Sequence, residues 1–140
     1  MSPRQRLLTL VEIITVGLPF CAFKLIAGLH WLSLSPLLYG LVALGALDTL
    51  LNLVNAGSVA IAGRRVAPIC LTDALFKRAG STDLGTALDV ALSFSLVAVM
   101  VGSGAIPTLA APMLSGWNVS VVLNVLGAGA LRLADAFKRG

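Results

Sequence analysis

Long apolar runs separated by short polar breaks dominate the chain. Segments 7–27, 36–62, 84–104 and 112–133 are nearly continuous in Leu, Val, Ala, Gly, Ile and Phe. Each is long enough, as a helix rising 1.5 Å per residue, to cross a hydrocarbon core of about 30 Å. The stretch 90–131 contains no Asp, Glu, Lys or Arg. As a single helix it would extend roughly 63 Å, about twice that core, so it must cross, turn and cross back. The pattern predicts an all-α integral membrane protein with four transmembrane helices. They form two hairpins, 7–62 and 84–133, in one membrane domain. Between them runs a linker, 63–83, with a short interfacial helix, and a basic tail, 134–140, follows. Pro68 suits the first position of the linker helix. Gly80 can end that helix, and Ser81, Thr82 or Asp83 can cap the third span.

Composition removes the soluble alternative. Of 140 residues, 58% are hydrophobic and 11% charged, where a soluble domain carries about a quarter charged. The net charge of +4 does not imply a nucleic-acid partner, because the basic residues flank the apolar runs. Arg4, Arg6, Arg64, Arg65, Lys77, Arg78, Arg132, Lys138 and Arg139 all fall on one side of a four-span topology. Lys24 falls toward the other side, where its stem is expected to snorkel to the interface. The positive-inside rule then places the N-terminus, linker and C-terminus in the cytoplasm of a cell inner membrane. Trp31, Tyr39 and Trp117 are expected in the outer aromatic belt. No small-x-small cleavage site follows the first apolar run, so it is read as a retained span. Cys21 and Cys70 are expected at different levels, with no disulfide between them.

Candidate chemistry lies in polar residues that a bilayer disfavours. Asp48 falls near the middle of the second span, where an aspartate costs about 2.5–3.5 kcal/mol on insertion scales. Asn52 and Asn55 follow at i+4 and i+7, on the same helical face as Gly45. The third span places Thr86, Asp89 and Ser93 on one face, and the fourth does the same with Ser120, Asn124 and Gly127. Glu12 and Thr15 mark the first span, and Arg132, near the inner end of the fourth, is the expected partner of Glu12 or Asp89. The predicted intramembrane polar site is therefore Glu12, Asp48, Asn52, Asn55, Asp89, Asn124 and Arg132, clustered in the cytoplasmic half. Similar stretches around Asn52 and Asn124, and the tails after each hairpin, suggest an internal repeat about an axis along the membrane normal.

The setting of Glu12, Leu10-Val11-Glu12-Ile13-Ile14, resembles the first span of small multidrug transporters, which have four short spans and a membrane-embedded glutamate there. That resemblance implies a transport role for Glu12. It is confined to the first span, and the long basic linker and the acids Asp48 and Asp89 depart from the family's pattern.

No nucleophile–base pair, metal-ligand cluster or phosphate loop is legible, so no catalytic residue, metal or cofactor is expected and an enzyme is the least supported class. His30 reads as an interface residue beside Trp31. The function expected first is an assembly subunit or helical scaffold in a homo- or hetero-oligomeric membrane complex. Its partners would be the bilayer and itself or other membrane subunits, met through glycines such as Gly40, Gly45, Gly57, Gly102, Gly127 and Gly129. The alternative is a proton-coupled small-solute transporter or ion channel using the intramembrane acids.

Overall fold

A computed structural model describes the fold of all residues except Ala79, Thr82 and Gly140. It describes the side chains of all but those three and Asp135, Phe137, Lys138 and Arg139. The basic tail's Lys138 and Arg139, and the capping candidate Thr82, thus lie outside the described side chains.

Four helices are long and apolar enough to cross a membrane, and the chain is a multi-pass membrane protein. The first span consists of α1 (Pro3–Glu12), a π-helical turn (Ile13–Gly17) and α2 (Leu18–His30). Ser2 starts it with a capping box closed by Gln5, and Pro3 occupies the first turn, where its missing N–H costs nothing. The wide turn in its middle has a local cause. Pro19 has no N–H to give the carbonyl of Thr15, and such a gap in the ladder is a common origin of π-helical turns and kinks. The freed Thr15 carbonyl accepts a hydrogen bond from Asn124 Nδ2 of α6 at 3.4 Å. Gly127, one turn further along α6, lies so close to Thr15 that a Cβ there would overlap it.

The first span is the hub. The second span, α3 (Leu38–Ala62), the third, α5 (Leu84–Gly102), and the fourth, α6 (Ala111–Arg139), all pack against α2. At one end Phe20, Phe23, Ile26, Ala27, Met100 and Trp117 form an apolar core. Trp117 is buried there with its ring 5.0 Å from that of Phe23, and not in an outer belt as expected. It lies within α6 on the side facing α2, so packing decides its place. Tyr39 is exposed.

At the other end the buried surfaces are polar. The α3 face turned inward carries Gly45, Asp48, Asn52, Asn55 and Val59, while Leu47, Leu50, Leu53 and Val54 point outward. On α5 the buried positions are Gly85, Asp89, Ser93 and Met100. Lipid can cover the outer apolar side chains, but nothing in it can hydrogen-bond an amide or a carboxylate, so the polar stripes turn inward.

The linker helix, α4 (Leu71–Arg78), starts three residues later than expected and deep inside the bundle. Gly63 ends α3 in a left-handed conformation (φ 65°). The chain then turns back along the polar face of α3, so that Leu71 donates its N–H to Asp48 at 2.6 Å. Asp48 stands 14 residues from the end of α3, roughly 21 Å into the helix. From there α4 runs outward along α5, its Thr72–Asp73 backbone so close to Gly85 that a Cβ would meet Asp73 Cα at 2.7 Å. Gly80 (φ 83°) closes α4 as expected. Pro68 is not its first residue, because its carbonyl is engaged by Asn55.

Gly45 sets the spacing between α3 and α2, since a Cβ there would lie 3.0 Å from Leu25 N and 3.1 Å from Lys24 Cβ. Gly57 faces open space. Gly45→Leu should therefore lower stability by about 1–3 kcal/mol or more through overpacking, while Gly57→Leu stays within about 0.5 kcal/mol. Unfolding in mixed micelles checks this, and equal tolerance of both would contradict the packing.

Candidate functional site

Three charged side chains from three spans meet at the boundary between the apolar core and the polar end. Lys24 of α2 is fully buried, and its Nζ donates to Asp48 Oδ2 of α3 at 2.5 Å and to Asp89 Oδ1 of α5. Asp48 is also fully buried and Asp89 nearly so, at 7% exposure. This overturns two expectations. Lys24 does not snorkel to the outer surface, because the first span continues to His30 and its ammonium finds two carboxylates inside the bundle. Arg132 pairs with neither Glu12 nor Asp89, since it lies exposed on α6, while Asp89 is held by Lys24 and Glu12 by Arg65 Nη2 at 2.6 Å.

The polar stripe of α3 binds the re-entrant linker segment by segment. Asn55 Oδ1 accepts the N–H groups of Val66 and Ala67 at 3.2 and 3.0 Å, and its Nδ2 donates to the carbonyls of Ala67 and Pro68 at 3.1 and 3.0 Å. Asn52 Nδ2 donates to the Ile69 carbonyl at 3.1 Å and to the Asp48 carbonyl. Asp48 Oδ1 takes the Leu71 N–H. Irregular backbone at membrane depth needs such partners, since no water is available to replace them. These three side chains meet six of its backbone groups.

Between this clamp and the first span lies a cavity of about 200 Å³. Glu12, Asp48, Asn52, Asn55 and Asp89, five of the seven predicted site residues, line it. Asn124 does not; it serves the Thr15 carbonyl across the bundle. Arg132 is equally remote from it. Arg65, Ile69 and Cys70 also line the cavity, together with Cys21. The two thiols thus share one cavity, contrary to the expectation that they lie at different levels, because the linker carries Cys70 inward. Both are free. Burial pushes the Cys70 thiol above its ordinary range, which keeps it protonated and weakly nucleophilic.

Sequence reasoning missed Lys24 and Arg65 as site residues. A signal for Lys24 was available: two intraspan acids at Asp48 and Asp89 need a base, and Lys24 is the one lysine flanked on both sides by apolar sequence of the same helix. Arg65 carried no comparable signal, because its role depends on the linker turning back.

The charges of the site do not balance. Glu12 and Arg65 neutralise each other at the partly exposed mouth, while Lys24 faces two carboxylates. Taken together with Lys24, the lining therefore carries one net negative charge if all five groups are ionised. No group of three or more His, Cys, Asp or Glu side chains suited to a metal ion occurs among the described residues. No family profile, curated protein or solved structure matches the chain.

If Asn55 holds the linker, Asn55→Leu should free it and speed tryptic cleavage after Arg64 and Arg65. Four hydrogen bonds are removed, so an acceleration of at least about ten-fold is expected. Ser58→Ala, on the same helix but bonded only to the Asn55 carbonyl, should leave the rate unchanged. Equal rates for Asn55→Leu and the wild type would contradict the clamp.

Proposed function

We propose that this chain is a membrane transport protein that carries a small solute, coupled to protons, through the polar cavity. The observation that carries this reading is the cavity itself, lined by the carboxylates of Asp48 and Asp89, both of which hold the Lys24 ammonium. A purely structural polar stripe would have no need of space beside it, and buried acids in a membrane mark solute and proton paths more often than they mark packing alone. Irregular backbone lining a cavity at mid-membrane, followed by a half-helix, is an arrangement that transport proteins use.

The accompanying topology places the N-terminus, linker and C-terminus in the cytoplasm of the inner membrane, with the outer end of α4 (Lys77 and Arg78) at the interface. The two helix pairs run in the same orientation, as a parallel repeat would. On this orientation the cavity mouth at Glu12 and Arg65 opens toward the cytoplasm.

A second reading, an assembly subunit in an oligomeric membrane complex, draws on a different observation. Gly40, Gly57, Gly102 and Gly129 have nothing among the described residues within reach of a Cβ, and such faces suit contact with further helices.

Proton flux into liposomes separates the two. With an imposed pH gradient and an internal pH dye, the purified wild type should dissipate the gradient faster than empty vesicles. Asp89→Asn should remove at least about nine-tenths of that flux, the loss expected of an essential proton carrier. Lys77→Gln should leave it unchanged. Flux no greater than that of empty vesicles, from a protein that purifies with other membrane subunits, would favour the assembly role instead.

A further inference from the structure

The hydrogen-bonding capacity left unused in the cavity describes what would fill it. Asp48 is fully engaged, one oxygen on Lys24 and the other on the Leu71 N–H. Asp89 is not. Its Oδ1 holds Lys24, while Oδ2 accepts no hydrogen bond among the described residues and is not sealed away by protein. Asn52 spends its amide nitrogen on backbone carbonyls and leaves Oδ1 free, facing Gly17, where a Cβ would overlap it. The unused set is two acceptors, one of them charged.

On the transport reading above, we infer that the cavity takes a small primary ammonium compound. The ammonium has three N–H donors, enough for Asp89 Oδ2 and Asn52 Oδ1 together. Its charge offsets the net negative lining and leaves the pair Asp48 and Asp89 facing two ammonium groups, Lys24 and the ligand. Other classes fit less well. An anion would add to the negative charge, and a neutral polyol would leave it unbalanced. Size favours a small compound, because about 200 Å³ is only a little more than the roughly 150 Å³ that accommodates a benzene molecule. Asp89 is the seat of the ligand in this arrangement, and Asp48 is the fixed counter-charge that ties Lys24 and the linker to α3.

The experiment is calorimetric titration of the full chain in detergent with four probes: ethanolamine, ethylamine, ethylene glycol and acetate. Ethanolamine should bind saturably, one per chain. Ethylamine, which presents the same ammonium group, should bind with comparable affinity. Ethylene glycol and acetate should give no saturable heat. Asp89→Asn should abolish ethanolamine binding. Val16→Phe tests the same cavity by bulk, from a wall position that leaves every charged group in place, and should also abolish it. It serves where Asp89→Asn does not elute as the wild type. Absence of ethanolamine binding to the wild type, equal affinity for ethylene glycol, or binding that survives Val16→Phe would each overturn the inference. Proton flux without ethanolamine binding would remove the ligand class and leave the transport reading standing. Ethanolamine binding without flux would do the reverse.

Discussion

A lysine ammonium with no contact to water, held between carboxylates from two other helices, is the contact around which the rest of this molecule is arranged. Taking an ion out of water costs several kcal/mol even after relaxation. Lys24, Asp48 and Asp89 all bear that cost, and they recover it only if α2, α3 and α5 sit at the right depth and rotation relative to one another. The triad therefore fixes the register of three spans at once. The glycines next to it serve the same end: Gly45 lets α3 close on Lys24, and Gly85 lets α4 close on α5.

Asp48 carries a second obligation. Its other oxygen receives the first N–H of α4, so the linker is drawn to the middle of the bundle instead of lying along the surface. Asn52 and Asn55 extend the same attachment toward the end of α3. The outcome is a bundle with two unlike ends, one packed with aromatic and aliphatic side chains around Trp117, the other polar and hollow.

Much of this was legible in the sequence, and the limits have physical causes. The four spans followed from apolar run length, and the inward face of α3 from the i, i+4, i+7 spacing of Asp48, Asn52 and Asn55. Those signals are local and periodic. Lys24 was misplaced because a lysine six residues from a helix end can either snorkel or find a buried partner, and only the tertiary arrangement decides. Arg132 was chosen as the acids' partner for its level in the membrane, but level without helix rotation does not make a pair. The re-entrant linker was hidden for a related reason. Its backbone partners are side chains on another helix, and residues 66–71 show no period of their own. Trp117 illustrates the opposite error, where a general preference of tryptophan for interfaces yielded to packing against Phe23.

The central claim is that Lys24, Asp48 and Asp89 form one electrostatic unit, and stability of charge-removed variants measures it directly. Unfolding in mixed micelles of Lys24→Met, of Asp48→Asn with Asp89→Asn, and of the triple variant Lys24→Met/Asp48→Asn/Asp89→Asn completes a cycle. Removing the ammonium alone strands two carboxylates and should cost about 3–5 kcal/mol. The triple variant strands none, and should recover a large part of that loss. Additive losses, with the triple variant as unstable as the sum of its parts, would show that the three charges do not act on one another and would contradict the account.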